Sequence, residues 1–208
     1  VLDRNRRIGV GLFGVQEWAA AHDVRWADIP LARRLGRYLQ RMAGEVEQEA
    51  ERYAKQLGIV VPVKTRTIAP TGTIAKLPGV SEGIHPIYAK HFIQRIRYAS
   101  NDLNIPEQYE SEPCIYSRHT TVVSVPTRNA ILDKFPSHLI QSVDEISVSA
   151  QLRVQSWFQR MWADNAVSFT ANIDATVTQE ELSNAIKDYG RYLKGTTVFP
   201  DMSRPQAP

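Results

Sequence analysis

The chain has 208 residues, 43% hydrophobic and 23% charged, which suits one large globular domain or two small ones and excludes a disordered chain. Its net charge of +3 and pI near 9.0 suit an anionic ligand, but no Lys/Arg run exceeds Arg6-Arg7 or Arg33-Arg34, so nucleic acid is not the expected partner. The lone cysteine, Cys114, excludes an internal disulfide framework or a Cys-built metal centre, and no run of about 18 apolar residues is present to cross a membrane.

Val1-Leu2-Asp3-Arg4-Asn5-Arg6-Arg7 has no Met at position 1 and no apolar core of a signal peptide. With the abrupt end at Arg204-Pro205-Gln206-Ala207-Pro208, this leads to the expectation of a fragment of a longer protein. Residues 8–13 read as a short buried strand, with Gly9 and Gly11 where backbones approach closely. A short helix is expected over 15–21. Asp28 is placed to cap the next helix, with Pro30 in its first turn. In that helix Leu31, Leu35, Tyr38, Leu39, Met42, Val46, Ala50, Tyr53, Ala54 and Leu57 form one apolar stripe over roughly seven turns, and Gly58 is a natural stop.

Residues 64–69 read as a strand that leads into a loop. Residues 92–98 alternate as a half-exposed strand, 100–113 form a polar surface excursion, and 120–125 form a further strand. A helical turn is expected over 129–135. The helix at 149–163 carries Leu152, Trp157, Phe158, Met161 and Trp162 on its apolar face. The strand at 167–173 puts Val167, Phe169, Ala171 and Ile173 on one side and Ser168, Thr170 and Asn172 on the other. Thr178-Gln179-Glu180-Glu181 is a capping box opening a helix that Gly195 ends, and 196–199 is the last strand, stopped by Pro200. Strands separated by helices predict an α/β fold with parallel strands in right-handed crossovers, covered on both faces, with residues 1–208 as one domain piece.

Gly9-Val10-Gly11-Leu12-Phe13-Gly14 spells G-x-G-x-x-G, but a dinucleotide site needs a strand before the first Gly and an acidic residue about 20 positions on. Here Arg residues precede Gly9, and the later position is the Asp28 cap, so the glycines are assigned to tight packing. The run Thr67-Ile68-Ala69-Pro70-Thr71-Gly72-Thr73-Ile74, continuing to Gly79-Val80-Ser81-Glu82-Gly83-Ile84-His85-Pro86, is poor core material. It suits a strand that ends in a loop with free backbone N–H groups, the arrangement that binds phosphate at the start of a helix. No Walker G-K-[ST] is present, and the same residues also suit a β-to-α turn with Thr73 as N-cap; local chemistry leaves both open. Glu82 and His85 are too few for a metal site, His91 and His119 belong to the surface, Cys114 is a non-catalytic thiol, and Trp18, Trp26, Trp157 and Trp162 belong to the core.

Several motifs in order nonetheless resemble one family. Asn5-Arg6-Arg7-Ile8-Gly9-Val10-Gly11, Ala69-Pro70-Thr71-Gly72-Thr73-Ile74, the 79–86 run, Asp164-Asn165-Ala166-Val167-Ser168 and Leu193-Lys194-Gly195-Thr196-Thr197-Val198 resemble the large catalytic chain of ribonucleotide reductases. Tyr116-Ser117-Arg118 and the tail from Lys194, with Asp201-Met202-Ser203-Arg204-Pro205, look most like the monomeric adenosylcobalamin-dependent class II enzymes. The resemblance implies a ten-stranded α/β barrel, with roughly its last four strands in this chain. It implies reduction of ribonucleoside triphosphates to the 2′-deoxy forms by a thiyl radical, with adenosylcobalamin, a thioredoxin-like reductant and a nucleotide effector, in the cytoplasm. The radical Cys of the family's finger loop would precede Val1, so no catalytic residue is carried over and the isolated chain is expected to be inactive.

What carries over is the substrate-phosphate turn: Thr71, Gly72, Thr73 and Ile74 on the phosphates, with Pro70 shaping the loop. The iron-dependent class has two adjacent Tyr on its last barrel strand, whereas Val198 and Phe199 stand here and neither offers a phenol for a radical relay. The alternatives are an iron- or manganese-dependent ribonucleoside-diphosphate reductase large subunit and a non-catalytic nucleotide-binding module.

Overall fold

A computed structural model describes residues 2–200, and the side chains from Arg4 onward. Four segments run parallel in the order 8–11, 64–69, 165–173 and 197–200. Val10 bridges Arg66, Ile68 bridges Val167, and β4 (Thr170–Ile173) pairs with β5 (Thr197–Pro200), Thr170 opposite Thr197. This is one curved wall of an α/β barrel. Its long crossovers are helical, as parallel neighbours require.

The helices follow from the sequence pattern with local corrections. After α1 (Leu2–Asn5) and α2 (Val15–Ala20), a 3-10 helix spans Trp26–Leu31 and α3 spans Arg33–Leu57. Asp28 therefore lies inside the 3-10 helix, bonded to Arg25 at 2.9 Å, and does not cap α3. Pro30 has no N–H to extend the turn, and the chain restarts as α-helix beyond Ala32. Only one side of the α3 stripe is covered: Leu35 and Leu39 are buried, whereas Leu31, Tyr38, Tyr53 and Leu57 are exposed.

A separate antiparallel sheet projects between wall segments 64–69 and 165–173. It has the order β1 (His91–Ala99), β3 (Thr120–Arg128), β2 (Glu110–Pro113), with His91 opposite Arg128. β2 lies in the stretch expected to be an irregular excursion. Glu110-Ser111-Glu112-Pro113 is poor strand material, and the backbone of β3 imposes its pairing. The turn α4 (Ile131–Lys134) leads to α5 (Val148–Met161) and α6 (Gln179–Tyr189). The capping box at Thr178 and Glu181 forms as expected, but α6 ends at Tyr189 and a 3-10 turn, Gly190–Tyr192, follows before Gly195.

α5 packs against α6, α3 and the 3-10 helix. Together with Trp26, Ile29, Ile68, Ile84, Phe158 and Phe169 these elements make the main core. Val167, Phe169 and Ala171 face this core, whereas Ser168, Thr170 and Asn172 sit half-exposed on the other side. Among the described residues the wall is thus covered on one face, not two. Segment 8–13 is also not buried: Ile8, Val10 and Phe13 are exposed at the wall's outer edge. Close approach does explain its first glycine, because a Cβ at Gly9 would lie 2.8 Å from Thr67 Cγ2. No helix among the described residues is long and apolar enough to cross a membrane.

Candidate functional site

Segment 64–69 ends in a loop at its C-terminal end, where parallel α/β sheets place ligands. Thr71 takes φ +56, an uncommon conformation for a β-branched residue. Two bonds hold it there. Its Oγ1 accepts the Gly83 N–H at 2.7 Å, and its carbonyl accepts the Ala75 N–H at 3.0 Å. The turn then tightens into a 3-10 helix of three residues, Ile74–Lys76. Pro78 and the left-handed Gly79 stop it there. The helix expected after the loop is therefore too short to contribute a dipole. What remains is local: the N–H groups of Gly72, Thr73 and Ile74 have no acceptor among the described residues, and all three residues are exposed. Thr73 stands at the N-cap position of this turn but makes no side-chain cap bond, and its hydroxyl has no partner among the described residues. Pro70 is exposed at the entry to the turn.

The second turn, residues 79–86, braces the first. Ser81 N–H and Oγ bond the Glu17 carboxylate of α2 at 2.8 and 2.6 Å, and the Gly14 N–H donates to the Ser81 carbonyl. Gly83 (φ +52) passes so close to the end of segment 64–69 that a Cβ would meet the Ala69 carbonyl oxygen at 2.9 Å; only Gly fits. The Trp26 indole N–H donates to the Ile84 carbonyl at 2.7 Å. His85 is largely buried, stacked on Phe169 with ring centroids 4.9 Å apart, and Phe169 stacks in turn on Trp26. Burial lowers the His85 pKa, although the Glu82 carbonyl and carboxylate oppose the shift. The Glu82 carboxylate pairs with Lys76 at 2.8 Å, beside Gly72.

At the other end of the wall, Asp164 and Asn165 join the segments. The Asp164 carboxylate accepts the N–H groups of Thr65 and Arg66 at 2.8 and 2.9 Å. Burial pushes its pKa up, but those two N–H groups and the Arg66 charge outweigh that and hold it low. Asn165 Nδ2 donates to the Arg66 and Ile8 carbonyls, crossing three segments. Lys64 and Lys194 both donate to the Asp164 carbonyl.

The reading of residue types left out the glutamines of α5. Gln151, Gln155 and Gln159 are buried at spacings of four; they bond backbone groups of Ile146, of residues 163–172 and of Gly195, and Gln155 Oε1 also accepts the Thr196 hydroxyl. Cys114 is buried, away from the loop in sequence and sheet, and His91 and His119 are exposed. Val198 and Phe199 lie half-buried on β5, opposite Ala171 and Asn172. Among the described residues no three His, Cys, Asp or Glu side chains converge on a metal position.

Two cavities bear on cofactor binding. One, of about 540 Å3, lies against α3 at Trp18, His22, Tyr38 and Met42. The other, of about 520 Å3, lies past the end of β4 and carries Asp144, Glu145, Asp174 and Glu181. A helix flank and a carboxylate-rimmed pocket do not fit the broad, flat face of a corrin.

The family model of the ribonucleotide reductase barrel domain matches residues 63–199. A Mycobacterium phage D29 protein, provisionally named an adenosylcobalamin-dependent ribonucleoside-triphosphate reductase, is 41% identical over 226 aligned residues, covering 100% of this chain and 33% of its own. The adenosylcobalamin-dependent ribonucleoside-triphosphate reductase of Lactobacillus helveticus is 31% identical, covering 96% of this chain and 29% of its own. The crystal structure of a B12-dependent class II ribonucleotide reductase superposes with a TM-score of 0.81 at 29% identity, over 99% of this chain and 31% of that one. The chain thus spans about a third of the length of these relatives.

Proposed function

The chain belongs to the ribonucleotide reductase barrel-domain family, and from that premise we propose that its protein reduces ribonucleoside triphosphates to 2′-deoxyribonucleoside triphosphates. In this reading residues 70–74 hold the substrate's phosphates. The single observation that carries it is the row of N–H groups at Gly72, Thr73 and Ile74 that, like the Thr73 hydroxyl, have no partner among the described residues, at the C-terminal end of a parallel segment. Convergent N–H donors suit phosphate oxygens without needing a lysine. Thr71 acts differently from its neighbours: its hydroxyl is committed to Gly83, so it shapes the loop.

Adenosylcobalamin, named in the relatives, would supply the initiating radical in the intact protein. Neither of the two cavities described above has the shape to cradle its corrin. Val198 and Phe199 favour this class over an iron-dependent one, because neither side chain can pass on a radical as a tyrosine does. A thioredoxin-like reductant, a nucleotide effector and a cytoplasmic setting, where thiols stay reduced, complete the proposal.

The test is triphosphate reduction by the intact protein with adenosylcobalamin, together with the Thr73→Val variant. Removing the hydroxyl is expected to weaken substrate binding several-fold and to leave cobalamin affinity unchanged. Unaltered substrate affinity would remove Thr73 from the phosphate site. Reduction that needs a metal-bearing partner subunit in place of cobalamin would overturn the class.

A further inference from the structure

The two turns around the loop are joined to β4 through one side chain, and its hydrogen bonds fix its protonation. The Thr170 N–H donates to His85 Nε2 at 3.0 Å, so Nε2 carries a lone pair. His85 Nδ1 lies 3.1 Å from the Glu82 carbonyl, which can only accept, so Nδ1 carries the proton. The neighbouring Gly83 N–H then holds Thr71 Oγ1, and Thr71 starts the loop. A continuous run of bonds leads from β4 through His85 and Gly83 to Thr71.

We propose that His85 is the positioning residue of the phosphate loop: as a neutral imidazole protonated at Nδ1, it locks the 82–85 turn to β4 and thereby fixes Thr71 and the donors that follow it. The proposal rests on the phosphate reading above. Protonation of Nε2 would set two N–H groups against each other at Thr170 and break the lock. The charged group facing the ring is Glu82 on its own turn, itself paired with Lys76; Phe169 and Thr170 of β4, and Trp26 beyond them, carry no charge. Burial favours the neutral form, so the lock persists below the ordinary imidazole range near pH 6.5 and opens as pH falls through the lower folded value.

The experiment compares the intact protein with His85→Gln and His85→Phe. Gln places an acceptor where Nε2 stood; Phe keeps the stacked ring and removes both bonds. Triphosphate affinity is measured by titration from pH 8 to pH 5, and hydrogen exchange at the Thr170 and Gly83 amides is followed without nucleotide. His85→Phe is expected to weaken triphosphate binding about tenfold and to speed exchange at both amides. His85→Gln is expected to restore slow exchange at Thr170 and to lose the acid-side fall in affinity that the wild type shows. Slow exchange at both amides in His85→Phe overturns the lock whatever the nucleotide does. Fast exchange with unchanged affinity in His85→Phe, where Thr73→Val still weakens binding, overturns its role in substrate binding and leaves the phosphate reading standing. Unchanged affinity in His85→Phe and in Thr73→Val alike overturns the phosphate reading itself.

Discussion

Segment 165–173 and the loop at 70–74 belong to one wall, yet they treat their backbone polar groups in opposite ways. Behind the segment, the side chains of α5 act as a substitute neighbouring strand. Gln151 accepts the Asn172 N–H at 3.0 Å and donates to the Asn172 and Ile146 carbonyls, and Gln159 accepts from Val167 and donates to Ala163 and Asn165. In the loop, three successive N–H groups are exposed and have no acceptor among the described residues. Buried backbone must be satisfied from within the fold, whereas exposed backbone can wait for a ligand. On the proposed reading, the difference separates scaffold from site.

The largest expected effect comes from the residue that ties the two together. Trp26 is fully buried, stacks on Phe169 of the segment and donates to Ile84 in the turn that braces the loop. Trp26→Ala should cost about 3–5 kcal/mol, from the lost burial and the cavity left behind. Urea unfolding measures it, and a loss under about 1 kcal/mol would mean that the two regions are not packed through this ring.

Gln151→Leu isolates the scaffold half. It keeps the volume but leaves the Asn172 N–H and the Ile146 carbonyl without their partner, at a cost of about 2–3 kcal/mol. Triphosphate affinity should stay within about twofold of wild type, since no bond from Gln151 reaches the loop. A neutral unfolding result would show that water replaces the amide, and the contrast between the two regions would fail.

The loop was legible as a turn because its chemistry is consecutive: Pro70, Thr71, Gly72 and Thr73 announce a turn whatever surrounds them, while a phosphate role came only from the resemblance of the motifs around it. The stripe on α3, the capping box at Thr178 and the alternation at 167–173 were legible for the same reason, since each is written in local spacing. The glutamines were not legible. Three polar residues four apart on a helix have the pattern of a solvated face, and only the carbonyls and N–H groups opposite them, up to 40 positions away, give them a buried role. Asp28 misled because Asp has the chemistry of a cap, while the turn from Trp26 to Leu31 decides where α3 starts. Residues 8–13 misled because their glycines and apolar side chains match a buried strand, although only one neighbouring segment pairs with them among the described residues. The role of His85 depends on Thr170, 85 positions away, and no local pattern marks it.

The smallest expected effect is the most specific to the loop. A carboxylate beside a phosphate site is out of place, yet Glu82 Oε2 lies 3.5 Å from where a Gly72 Cβ would be. The Lys76 ammonium on Oε1 offsets it in the free protein. Both side chains are largely exposed, so the pair adds little to stability. Glu82→Gln keeps the shape and the backbone carbonyl that receives His85, removes one negative charge and releases Lys76 toward the loop. Triphosphate affinity should rise about threefold at low ionic strength, and the gain should shrink as salt screens the exposed charges. Unfolding stability should hardly move. An affinity that falls would give Glu82 a direct part in holding substrate. One that does not change at low salt would place the phosphates beyond the reach of this pair, and so away from Gly72.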